Sequence, residues 1–196
     1  MRPKIVLASG SPRRRDLLAS LGVPFEVKTS QVDETFDGAC SPSEVVEDLA
    51  HRKAMDVART CDTALVIGAD TIVVCDGEIL GKPRDEKEAV QMLSELQGRA
   101  HQVYTGISLV EVLKGQVMRE RVSHRMTHVW MRPLSDEKIT WYVNSKEPLD
   151  KAGAYGIQGL GACLIEKIEG CYFNVVGLSL AELDQMFADL NYSLVQ

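Results

Sequence analysis

Residues 7–18 read Leu-Ala-Ser-Gly-Ser-Pro-Arg-Arg-Arg-Asp-Leu-Leu, and they join the end of a strand to the start of a helix. Lys4–Ala8 is a short apolar strand. Ser11 is a favoured N-cap, and Pro12 suits the first helical position, whose N–H would be unpaired anyway. Arg13, Arg14 and Arg15 then crowd the helix end that already carries a positive partial charge, at roughly 0.3–1 kcal/mol per cation. A helix built only for stability would place Asp or Glu there. The pattern implies a missing anion, a phosphate held by free backbone N–H groups and arginine forks. A solvated basic turn is the plainer alternative.

Outward from that junction the chain alternates strands and helices. The first helix, Ser11–Leu21, ends at Gly22; Phe25–Lys28 reads as a strand, and a polar loop runs from Thr29 to Cys40. Ser41-Pro42-Ser43-Glu44 forms a capping box and opens a helix that reaches about Arg59. Glu44 stands where the first helix has Arg14, so one helix start is complemented by its own side chain and the other awaits a ligand. Leu65–Val74 is a strand-like run broken at Gly68-Ala69-Asp70-Thr71, and Gly81-Lys82-Pro83 is a turn. Asp85–Gln97 is a helix with an Asp85/Glu88 cap and Gly98 beyond it. Long strands His101–Leu113 and Gln116–Met131 flank a Lys114-Gly115 hairpin turn. A helix over Ser135–Asn144, a glycine-rich segment over Asp150–Gly161, strands over Cys163–Ile168 and Phe173–Val176, and a helix over Ser179–Leu190 complete the chain. The pattern predicts an α/β fold, a mixed sheet with helices packed on it.

At 196 residues the chain suits one domain, 1–196, with room for two lobes. A net charge of −6 argues against a broad nucleic-acid coat, so basic clusters read as sites. No apolar stretch approaches the roughly 18–20 residues of a membrane span. Ile5–Ala8 is too short for a signal-peptide core. The five cysteines have no metal-type spacing and read as reduced thiols of a cytoplasmic protein. Neither a Walker sequence nor a G-x-G-x-x-G is present.

Several residues carry chemistry. Lys53 falls in the apolar stripe of Val45, Val46, Leu49, Ala50 and Val57, where an ammonium must snorkel, pair with a carboxylate or meet an anion. Asp70 interrupts a run of Val, Ile, Leu, Ala and Gly, and partial burial tunes such a group toward a general base; a turn aspartate is the structural alternative. Thr71 points to the opposite face of a regular strand, unless a bulge at Gly68 re-aims either side chain. Asp33-Glu34 offers carboxylate oxygens suited to Mg2+ or Mn2+, although loop acids are often only solvated. Lys82, restrained by Pro83, and Lys151 add charge in glycine-flanked turns open to phosphate. His124 and His128 sit on a strand, where four residues span about 13 Å, and cannot chelate one ion together. Trp130 and Trp141 read as packing residues.

Together these pieces resemble the Maf family of nucleoside triphosphate pyrophosphatases over essentially the whole chain. The carrying motifs are Ala8-Ser9-Gly10-Ser11-Pro12-Arg13-Arg14, Lys53-Ala54, Gly68-Ala69-Asp70-Thr71, Gly81-Lys82-Pro83 and Asn174-Val175-Val176-Gly177-Leu178. The most specific is Glu147–Gly159, which is similar to the branch acting on dTTP and UTP. The resemblance implies Asp70 as general base and Arg13, Thr71 and Gln158 as residues of substrate choice. It places Ser9, Lys53 and Lys82 at phosphate positions, and Glu34 with Asp70 at a divalent metal, Mg2+, Mn2+ or Co2+. It also implies an elongated fold like that of inosine triphosphate pyrophosphatases, with two lobes around a cleft, a cytoplasmic setting and often a homodimer. Cys171 and Ser179 depart from the Ser and Pro typical of the family. The expected activity is hydrolysis of pyrimidine nucleoside triphosphates to the monophosphate and pyrophosphate, with no direct nucleic-acid binding. The alternative is a nucleotide-sensing interaction protein that arrests division without turnover.

Overall fold

The computed structural model describes residues 3–36 and 38–195; position 37, within the loop expected over Thr29–Cys40, lies outside them. Strand β1 (Lys4–Leu7) runs into helix α1 (Pro12–Ala19), then β2 (Phe25–Val27) and helix α2 (Pro42–Ala58). Strands β3 (Ala64–Cys75) and β4 (Glu78–Leu80) precede α3 (Glu86–Leu96), β5 (Ala100–Leu113) and β6 (Gln116–Met131). Helix α4 (Asp136–Asn144), three 3-10 turns, β7 (Ile165–Glu169), α5 (Tyr172–Val176) and α6 (Leu180–Asp189) follow. The sheet order is β2-β1-β3-β5-β6-β7, with β4 paired to β3. β1 is parallel to both β2 and β3, while β4 and β7 add antiparallel edges. This is the expected mixed α/β sheet with flanking helices.

Local signals explain most boundaries. Ser41 accepts from the Glu44 N–H and Glu44 returns a bond to Ser41, completing the capping box. Asp85 and Ser135 cap α3 and α4 from one side, accepting from the N–H groups of Glu88 and Lys138. Lys114 and Gly115 both have positive φ, the two-residue I′ turn that matches strand twist.

Three expectations need correction. β3 is continuous through Gly68–Thr71 instead of broken there. Gly68 is required by helix packing: a Cβ on it would lie 2.2 Å from the Ala50 carbonyl oxygen of α2. Phe173–Val176 is helical, not extended; the buried Asn174 amide donates to the Val103 carbonyl and to Thr127 Oγ1, tying this short turn down. Trp141 is exposed on α4 with the Lys138 ammonium 3.8 Å from its ring centre, so it is no core residue. β4 was not foreseen, although Asp76-Gly77, both with positive φ, is the same I′ signal as Lys114-Gly115.

The chain forms two compact units. The first comprises the chain through Asp70, Thr105–Arg125 and the chain from Gly177 on. Its core includes Val6, Ala54, Val57, Val66, Val110 and Val112. The second comprises Thr71–Tyr104 and Met126–Val176, with a core that includes Leu93, Leu96, Val129, Tyr142 and Leu164. Among the described residues no helix is long and apolar enough to cross a membrane.

Candidate functional site

The chemistry-bearing residues of the first unit gather on the face of β3 that meets α2. Gly68 and Asp70 share that face, since side chains alternate along a strand. With no side chain at Gly68, nor at Gly106 of β5, the α2 backbone descends onto the sheet. Lys53, in the turn after Ala50, then reaches Asp70: Nζ donates to Oδ1 at 2.5 Å. The two side chains are only 11% and 12% exposed, so each offsets the desolvation of the other. The apolar-stripe lysine and the apolar-run aspartate are thus one buried ion pair.

Glu34 is the third member. Its Oε1 lies 2.7 Å from Lys53 Nζ, with its side chain 55% exposed. The loop that carries it is pinned to α2. The Gln31 N–H donates to Asp56, and Arg52 donates to the carbonyls of Asp33 and Thr35. Asp33 accepts from the Thr35 N–H at 3.0 Å and so serves as a local cap. Two carboxylates therefore converge on one ammonium. Among the described residues no group of three or more His, Cys, Asp and Glu could cage a metal. A pair of hard oxygen donors instead suits Mg2+ or Mn2+, which keep water and phosphate as further ligands.

The three arginines do not act alike. Arg14 is buried; Nε donates to the Gly177 carbonyl at 2.8 Å and Nη1 to Ser9 Oγ at 3.2 Å. Burial lowers its pKa, opposed by the nearby negative charge of Asp70. Arg15 is exposed and pairs with Asp16. Arg13 alone is half-buried at the helix start. Ser9 is buried, and its Oγ also accepts from the Ser11 N–H at 3.3 Å. Arg14 thus holds the Ser9 loop in shape, a role that its place in an arginine run did not disclose.

The second unit carries the remaining candidates. Thr71 is partly buried, next to Asp70 on the opposite strand face, and Lys82 and Gln158 are exposed. Lys151, read as a phosphate candidate, is engaged locally with Asp150 and the Glu147 carbonyl. His124 pairs with Glu47 at 2.7 Å and His128 stacks near Trp130, in keeping with sheet-surface roles. What the first unit assembles is chemically specific: a carboxylate able to accept a proton, held by an ammonium, with arginine and serine at an adjoining helix start.

The family described as Maf-like protein matches residues 4–190. A protein of Pelotomaculum thermopropionicum named dTTP/UTP pyrophosphatase is 49% identical over 98% of this chain and 99% of its own length. One of the same name from Symbiobacterium thermophilum is 52% identical over 97% and 96%. Among solved structures, the Staphylococcus aureus Ham1 protein aligns over 93% of this chain and 90% of its own, with 19% identity and a TM-score of 0.47.

Proposed function

The chain belongs to the Maf family, and from that premise we propose that it hydrolyses dTTP, UTP and related pyrimidine nucleoside triphosphates to the monophosphate and pyrophosphate. The carrying observation is the buried Asp70–Lys53 pair with Glu34 on the same ammonium. Asp70 accepts a proton from water as the water oxygen bonds to phosphorus of the α–β anhydride; the bridging P–O bond breaks and pyrophosphate leaves. Lys53 orients that carboxylate and faces the phosphoryl oxygens with positive charge, which the half-buried Arg13 and the Ser9 loop extend. Glu34 and Asp70 would hold a divalent cation, Mg2+, Mn2+ or Co2+, which supplies Lewis-acid polarisation of phosphate oxygens when bound. Lys82 adds positive charge toward the phosphates. Gln158 presents both a donor and an acceptor, as the O4/N3 edge of uracil or thymine requires, and Arg13 and Thr71 share in substrate choice. The same proposal places the protein in the cytoplasm, where all five cysteines stay thiols.

A sensing role without turnover is less favoured, because a pure anion binder gains nothing from a carboxylate beside its own ammonium. Asp70→Asn decides between them. The variant should lose turnover by about a hundredfold or more, as expected for a positioned general base, while UTP binding persists. Pyrophosphate release from UTP, read through a coupled phosphatase, and equilibrium dialysis give the two measurements. Near-wild-type release would remove Asp70 from its role; no release by the parent protein on dTTP or UTP would leave binding as the function.

A further inference from the structure

The Glu147 carboxylate and the Tyr142 hydroxyl together anchor the segment around Gln158. Glu147 Oε1 accepts from the Tyr142 hydroxyl at 2.9 Å and from the Gly161 N–H at 3.1 Å, and Oε2 accepts from the Leu160 N–H at 3.0 Å. The Tyr142 hydroxyl in turn accepts from the Gly156 N–H at 3.1 Å. Backbone anchors at 156, 160 and 161 therefore bracket the exposed Gln158 on both sides. The fit allows no slack. A Cβ at Gly159, whose φ is +64°, would lie 2.7 Å from Glu147 Oε2, and one at Gly161 would lie 2.6 Å from the Tyr142 hydroxyl.

Tyr142 is fully buried on α4, in the core of the second unit, and Glu147 lies in the 3-10 turn that follows that helix. The clasp thus ties the backbone on either side of Gln158 to helix α4, next to the core packing of Ala154, Tyr155 and Leu164. Burial pushes the Glu147 pKa up, but the N–H groups of Leu160 and Gly161 and the tyrosine hydroxyl outweigh it and hold the carboxyl below its ordinary value. Glu147 is ionised at neutral pH and acts only as an acceptor, as all three of its donors demand. Glutamine in its place would turn an amide N–H2 toward one of them.

We propose that Tyr142 and Glu147 are positioning residues for base selection: they fix the backbone on either side of Gln158 so that its amide meets the nucleobase edge in one orientation. The inference rests on the reading of Gln158 as the base-contacting residue. Recognition by a flexible amide is only as selective as the backbone that aims it, and small misplacements of such groups cost large factors in rate.

The test compares Gln158→Ala, Glu147→Gln, Tyr142→Phe and the Gln158→Ala/Glu147→Gln double variant. Two readouts are needed: the UTP-over-ATP ratio of kcat/KM, and amide hydrogen exchange in the nucleotide-free protein. Glu147→Gln should speed exchange at Leu160 and Gly161 and narrow the ratio by about tenfold, mainly through the KM for UTP. Tyr142→Phe, which keeps the buried ring, should free the Gly156 amide and narrow the ratio less. The double variant should be no less selective than Gln158→Ala. Faster exchange with an unchanged ratio in Glu147→Gln, while Gln158→Ala loses selectivity, would overturn the positioning role and leave the Gln158 reading standing. An unchanged ratio in Gln158→Ala would defeat that reading first, and the positioning role with it.

Discussion

The Lys53–Asp70 pair carries a large energetic stake at the residue scale. Without Lys53, Asp70 would lose its ammonium in a site that is nearly nine-tenths closed to water, whereas Lys53 without Asp70 would keep Glu34. Lys53→Met should therefore destabilise the protein by about 3 kcal/mol, the loss typical when one member of a buried pair is removed. Adding Asp70→Asn to Lys53→Met should recover a good part of that loss, because the remaining charge goes too. Urea denaturation of the parent, both single variants and the double variant measures the coupling; strict additivity would show that the two groups do not support each other. Either residue was legible in the sequence, a lysine in an apolar helical stripe and an aspartate in an apolar strand. Their partnership was not, since 17 positions separate them and no local pattern states which strand a helix face will meet. Glu34 was harder still, because its loop looks like any solvated acidic turn until Arg52 and Asp56 are seen to hold it.

At the scale of elements, the contact between α2 and the sheet decides whether that pair can form. Gly68 is where the helix backbone touches the strand: its missing Cβ would meet Ala50 O at 2.2 Å and Ala54 N at 2.7 Å, both main-chain atoms that cannot swing aside. Gly68→Ala should cost roughly 3 kcal/mol or more through overpacking. Gly10→Ala, whose Cβ would meet only the Thr29 side chain at 3.4 Å, should leave thermal stability nearly unchanged. Equal melting temperatures for the two variants would refute the close-packing account. Helix starts were legible because capping bonds join residues three apart, as in Ser41 with Glu44 and Asp85 with Glu88. The conformation of Phe173–Val176 was not. Three apolar residues and one asparagine fit either period, and what ties the helical turn down is the Asn174 amide bonding to Val103 and Thr127, both remote in sequence.

Across the whole molecule, groups in both units make stability depend on pH with one sign. In the second unit His101 is 2% exposed, its Nε2 2.5 Å from the Tyr155 hydroxyl; burial, aided by the charge of Arg99, brings its pKa down to about 4. The folded protein thus resists protonating a histidine that the unfolded chain protonates near pH 6.5, so this stabilisation is complete above that pH and fades as pH falls toward about 4. Between pH 7 and pH 5 the loss should be about 2 kcal/mol. In the first unit Glu111 is held below its ordinary value chiefly by its bond from Arg119, so its contribution fades in a lower window, beneath the unfolded carboxyl value near 4.5. Urea midpoints should fall from pH 7 to pH 5 and fall further below it; a flat profile between pH 7 and pH 5 would show that His101 is protonated without penalty. By itself the sequence determined the α/β alternation, the caps, the long hairpin and the identity of the charged candidates, because those follow from bonds and periodicities within a few residues. Only the tertiary structure decided that Lys53 pairs with Asp70, that Arg14 braces the Ser9 loop, that Gly68 admits a helix and that Glu147 clasps the Gln158 segment. Each of these is set by which groups are desolvated together, and desolvation depends on neighbours that the folded chain, not its order of residues, brings into contact.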